Sequence, residues 1–165
     1  MRIIFIGQAP FGAEALQKLI TQGEEIVGVI TIDDTPGQRH PNPVKLCANE
    51  HQLPLLQTRL LKSPVAVSWV KEQSPDLLVL AFVTSFVPQE MIALAPFGGI
   101  NYHPSLLPGY RGGSAINWAI INGETETGVT IHYIDAGVDT GPILLQEKVA
   151  IDPDDTVKSL YFEKL

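Results

Sequence analysis

The chain has 165 residues, 45% of them hydrophobic and 18% charged, which suits one domain of ~100–200 residues and is too apolar for a disordered polymer. Eleven basic against eighteen acidic residues give a net charge of −7, which opposes the counterion release behind most nucleic-acid binding. No apolar run reaches the ~18 residues of a membrane span. The single cysteine, Cys47, excludes an internal disulfide framework or a cysteine zinc site, and MRIIFI is too short for a signal core, so a soluble protein of a reducing cytoplasm is expected.

Residues Arg2 to Ile6 read as a buried strand, followed by a turn with Gly7 and Pro10, a helix over Phe11 to Thr21 and a second strand over Ile26 to Ile32. Continuous apolar strands interrupted by a helix predict a parallel sheet covered on both faces. Asp33 to Asn42 is polar and turn-rich. Asn42 followed by Pro43 signals a helix to His51, and Ser63 with Pro64 signals another ending near Gln73. Leu77 to Phe82 reads as a strand, Gln89 to Leu94 as a helical turn, Gly99 to His103 as a strand and Ala115 to Asn122 as a helix closed by Gly123. Thr127 to Ile134 and Ile143 to Ile151 are β-branched runs framing the glycine-rich loop Asp135 to Pro142. Asp155 is the expected N-cap of a last helix carrying Val157, Leu160 and Tyr161, which runs to Leu165 without a stop signal and so reads as the end of a shortened domain.

Asn101 and His103, two apart at a strand end, point to one face, and strand ends are where open α/β sheets place ligands. Asp139 lies in the loop after the next strand, so an amide, an imidazole and a carboxylate can converge. Spacing alone leaves a structural reading open, with His103 satisfied at the strand end and Asp139 shaping a turn. His132 reads as a packed or half-exposed strand residue, His51 as a helix-end residue and Cys47 as a small core residue. GQAPFG at residues 7–12 is not GxGxxG and no GxxxxGK[ST] occurs, so the parallel sheet carries no nucleotide fingerprint.

From Asn101 the sequence reads NYHPSLLPGYRGGSAINWAIINGETETGVTIHYIDAGVDTGPILLQ. Asn-x-His, Ser-Leu-Leu-Pro and Asp-x-Gly-x-Asp stand there in order, and the run resembles the folate-dependent formyltransferase family. The likeness extends from FIGQAPFGAEALQKL to TVKSLYFEKL. It implies a three-layer, Rossmann-like α/β fold with a mostly parallel sheet, shortened at its C-terminus, within one catalytic domain over residues 1–165 that lacks its last elements and any C-terminal domain. It implies formyl transfer from 10-formyltetrahydrofolate to an amine, without a metal. Asn101, His103 and Asp139 match the family's catalytic residues. An amide N–H and a protonated imidazole suit a tetrahedral oxyanion, an imidazole suits the proton transfers, and Asp139 would orient His103 or hold a proton-shuttling water. Ser105 is expected to support the Ser-Leu-Leu-Pro loop. The pterin pocket would be formed by Phe82, Thr84, Phe86, Val87 and Pro88 together with Asp135, Ala136, Gly137 and Val138. The alternative for Phe86 is a buried aromatic in a loop hydrophobic cluster.

Differences within the family bear on the acceptor. GQAPFG departs from the phosphate-binding loop of the glycinamide ribonucleotide enzymes, whereas PGQRHPNPVKLCANEHQLPLLQ resembles the tRNA-facing insertion of the methionyl-tRNA enzymes, with only Arg39, His40 and Lys45 as cations. The expected acceptor is therefore initiator methionyl-tRNA. Alternatives are a sugar amine, suggested by INWAIINGETETGVT, or water, as in the folate hydrolase domain; that domain has an apolar residue where this chain has Asn101. A folate-binding module without turnover is the non-enzymatic alternative. Oligomeric state is not legible in the sequence.

Overall fold

The computed structural model describes residues 1–164, so the helix end expected at Leu165 lies outside the described residues. The chain forms two compact units, Met1–Ile100 and Asn101–Leu165. The first contains β1 (Arg2–Gly7), α1 (Ala9–Thr21), β2 (Glu25–Thr31), α2 (Pro43–Glu50), β3 (Leu55–Gln57), α3 (Pro64–Gln73), β4 (Leu77–Ala81) and α4 (Gln89–Ile92). Its strands run in the order β3-β2-β1-β4, all parallel. This is the expected α/β class with Rossmann-like alternation of strand and helix.

The layers of this unit follow from side-chain parity. Ile3 and Phe5 of β1 and Ile26 and Val29 of β2 pack with Leu16 of α1 and with Val44, Cys47 and Ala48 of α2. Two residues three apart share a face because the register shifts: Ile3 pairs with Ile26 but Ile4 pairs with Gly28. Gly28 then faces the other layer, where the Trp69 ring of α3 occupies the space a Cβ would fill. Cys47 is buried, and desolvation, with Glu50 nearby, pushes its thiol up, in keeping with a packing role.

The helix starts show where local chemistry was legible. Pro10, expected in a turn, lies in the first turn of α1, where no backbone donor is needed. Asn42 caps α2 as expected. Its Oδ1 accepts from Val44 N at 3.0 Å and Lys45 N at 3.2 Å, while Nδ2 donates to Ile32 O at 3.0 Å and Thr31 Oγ1 at 3.1 Å. Asn42→Ala removes the cap and strands buried partners, so it is expected to lower stability by about 2 kcal/mol in urea unfolding. A loss below about 0.5 kcal/mol would contradict that account. β3, absent from the sequence reading, is a three-residue strand beside β2.

β5 (Gly99–His103) leads into the second unit, which holds α5 (Ala115–Ile121), β6 (Glu126–Tyr133), β7 (Ile143–Ala150), the short α6 (Val157–Ser159) and a wider π turn over Leu160–Lys164. The strand order there is β5-β6-β7, with β6 and β7 antiparallel. Gly123 takes a φ of +69° just beyond α5, as a helix-closing residue does. The last helix is capped by Thr156, not by Asp155: Thr156 Oγ1 accepts from Ser159 N, and Ser159 Oγ accepts from Thr156 N. No helix among the described residues is long and apolar enough to cross a membrane.

Asp155 instead accepts from Lys164 Nζ at 2.5 Å, Ser159 Oγ at 2.7 Å and Asp152 N at 2.8 Å. The Lys164 ammonium and then the Ser159 hydroxyl hold its carboxyl down to about 2. A depressed folded value stabilises the fold above the unfolded value of ~3.9 and is lost as pH falls toward ~2. Asp155→Asn should therefore lower the urea midpoint at pH 7, and its difference from wild type should close between about pH 4 and pH 2. An unchanged difference across that window would contradict the assignment.

Candidate functional site

In the second unit, β5 ends at His103, and a loop over residues 104–114 follows, with a cis Leu107–Pro108 peptide. Three side chains wire this loop. Ser105, fully buried, donates through Oγ to Gly109 O at 2.7 Å, the loop-supporting part expected of it. Thr130 of β6 donates to Ser105 O at 2.6 Å and accepts from Leu107 N at 3.2 Å and from Gln146 Nε2 at 2.9 Å. Gln146 of β7 also donates to Leu107 O at 2.8 Å. The Thr130 hydroxyl thus uses its one proton and both acceptor positions, so the loop stands on a satisfied buried network.

That loop delivers the Tyr110 carbonyl to His103. The distance from His103 Nε2 to Tyr110 O is 2.8 Å, and a carbonyl only accepts, so Nε2 carries the ring proton. Tyr110 is itself tethered: its hydroxyl donates to Glu124 at 2.5 Å and accepts from Asn122 Nδ2 at 3.0 Å. The Glu124 carboxylate raises the pKa of the Tyr110 phenol by holding its proton. His103, 5% exposed, then presents Nδ1 toward Asp139 Oδ2 at 3.4 Å.

Asp139 has a φ of +50° in the loop after β6, a conformation Asp tolerates better than most residues. Its Oδ2 accepts from Gly112 N at 2.8 Å and its backbone carbonyl accepts from Arg111 Nε at 3.1 Å. Its Oδ1 lies 3.4 Å from Asn101 Nδ2. Asn101, His103 and Asp139 are thus brought together within the second unit.

The sequence reading missed one neighbour. His132 is 2% exposed, with Nε2 3.3 Å from both Asp139 Oδ1 and Asn101 Nδ2. Its Nδ1 is 2.8 Å from Tyr133 O. A usable signal was its period-2 parity with Thr130, which places both on the buried face of β6. Gly141 is needed beside it, because a Cβ there would overlap the Tyr133 carbonyl oxygen.

The residues expected around a pterin lie in both units. In the first, Phe82 leaves β4 with a φ of +56°, Thr84 and Phe86 are exposed, Val87 is buried, and Pro88 starts α4. In the second, Asp135, Ala136, Gly137 and Val138 are exposed. Asp135 Oδ1 accepts from Thr140 Oγ1 at 2.6 Å and Gly137 N at 2.9 Å, and these bonds, Thr140 first, hold its carboxyl below the usual range. Asp135 thereby braces the loop.

Residues 1–164 match the family model described as "Formyl transferase". The methionyl-tRNA formyltransferase of Geotalea daltonii is 44% identical over 165 residues, covering 98% of this chain and 53% of that protein. Its counterpart from Geobacter sulfurreducens is 43% identical over 165 residues, with 98% and 52% coverage. The chain therefore spans about half the length of the curated relatives it matches. Among solved structures, the phosphoribosylglycinamide formyltransferase of Bacillus halodurans superposes with a TM-score of 0.83 at 32% identity, over 98% of this chain and 86% of that one.

Proposed function

Because this chain belongs to the formyl transferase family, we propose that it transfers a formyl group from 10-formyltetrahydrofolate to an amine, and that the amine is that of methionyl-tRNA. The observation that carries the proposal is the meeting of an amide N–H, an imidazole and a carboxylate at Asn101, His103 and Asp139. In the proposed reaction the amine nitrogen bonds to the formyl carbon, and the carbon–N10 bond then breaks. The proton lost by the amine passes to N10. Asn101 Nδ2 donates to the oxygen that becomes negative in between. His103 moves the proton through Nδ1, because Nε2 is committed to Tyr110 O. Asp139 holds the imidazole in that orientation and stabilises its cationic form.

The folate is proposed to lie against the exposed backbone of residues 135–138 in the second unit. The curated relatives at 44% and 43% identity support methionyl-tRNA as the acceptor. Recognition of the tRNA phosphates requires cations. In the segment proposed to face tRNA these are Arg39 and Lys45, with His40, and Lys45 is already paired with Asp34. A reducing cytoplasm suits this substrate pair.

Incubating the protein with 10-formyltetrahydrofolate and, separately, methionyl-tRNA, a sugar-nucleotide amine or no acceptor tests the proposal. Formyl-methionyl-tRNA is the expected product. Formylation of the sugar amine alone, or formate release that needs no acceptor, would overturn it.

A further inference from the structure

Resting on that formyl-transfer reading, we propose that His132 is a positioning residue whose Nε2 lone pair holds the Asn101 carboxamide with its nitrogen turned toward the reacting atoms. A carboxamide has two nearly isosteric orientations, and only the one presenting N–H can stabilise an oxyanion. The choice must therefore be enforced by neighbours.

His132 and Asp139 enforce it together. His132 Nδ1 lies 2.8 Å from Tyr133 O, an acceptor with no proton, so in the neutral ring the proton is on Nδ1 and Nε2 carries the lone pair. That lone pair and Asp139 Oδ1 lie 3.3 Å apart, and Asn101 Nδ2 is 3.3 Å from the first and 3.4 Å from the second. An amide oxygen in this position would face two acceptors; the NH2 group satisfies both. One N–H directed at this pair leaves the second free for the substrate oxygen.

The ring is fixed from several sides. His132 is 2% exposed, so water does not compete for Nε2. The β6–β7 register shifts between Ile131 and His132, ending the regular pairing at this residue. Gly141 lets the chain pass against the Tyr133 carbonyl that takes the Nδ1 proton. The Asp139 oxygen used here is not the one facing His103, so His103 and His132 act on separate edges of one carboxylate.

Two variants and one spectrum test this. Gln places an acceptor oxygen near the position of Nε2, whereas Phe keeps the ring volume without one. His132→Phe is expected to lower kcat by about 10- to 100-fold with KM for the folate within about twofold, and His132→Gln to stay within about threefold of wild type. Equal losses in both variants, or none in His132→Phe, would overturn the proposal. Long-range 1H–15N NMR of the wild-type protein reads the same point without turnover or mutation. It should show His132 protonated at Nδ1 and bare at Nε2; a proton on Nε2 would mean donation to Asp139 and would sink the idea. If the wild type shows no formyl transfer, the functional reading fails, while the spectrum still decides the orientation of Asn101.

Discussion

His103→Ala is expected to lower the rate of formyl transfer by about 10³-fold while leaving folate affinity within about twofold. The imidazole is the proposed carrier of the proton between amine and N10, and the other imidazole at this carboxylate, His132, faces Oδ1 and not Oδ2. Its ring is held at Nε2 by the Tyr110 carbonyl, which leaves Nδ1, on the side of the Asp139 carboxylate, as the edge that exchanges the proton. Removing it takes away the proton route and leaves Asp139 Oδ2 held by the Gly112 N–H. General acid–base groups account for ~10²–10⁴ in rate, and an oxyanion donor for ~10²–10³. Single-turnover rates with saturating folate, together with equilibrium folate binding, check the result. A variant that retains more than about a tenth of wild-type rate would remove His103 from the chemistry.

Phe5→Ala is expected to lower unfolding free energy by about 3–5 kcal/mol, the range for truncating a large buried aromatic. Phe5 is fully buried at the centre of β1. It pairs in register with Val29 on one side and Val79 on the other, and its ring lies over Gly7, where a Cβ would collide with it. The cavity cannot close easily, because Val29, Leu16 and Val44 around it belong to three different elements. Urea unfolding should show a lower midpoint with an unchanged slope. A loss under about 1 kcal/mol would mean that the α1–α2 layer closes over the gap.

The parallel part of the fold was legible because its strands are buried on both faces and its helices carry local start signals. Asn42 and Ser63 cap α2 and α3 where a side-chain oxygen followed by proline announces a helix. β3 was not legible: it has three half-buried residues, and its existence depends on pairing with β2 rather than on its own pattern. The end of the chain was misread at Asp155, because Asp and Thr are both good caps and only the Thr156–Ser159 geometry decides between them. In the site, strand parity indicated that Asn101 and His103 share a face. The part of His132 was hidden because a histidine alternating with Ile131 and Tyr133 reads as packing. Its approach to Asp139 depends on how the glycine-rich loop turns back. Gln146 escaped notice for the same reason, since its bonds run from β7 to a loop almost forty residues earlier.

The central claim is that the grouped Asn101, His103 and Asp139 move a formyl group to an amine. It is tested most directly by a single turnover of 10-formyltetrahydrofolate, labelled with 13C in the formyl group, in the presence of methionyl-tRNA. The account predicts that the label appears in a new amide on the methionine nitrogen and that Asn101→Ala slows its appearance by about 10²–10³-fold. Label recovered as free formate, or an amide formed at the same rate in the Asn101→Ala protein, would contradict it.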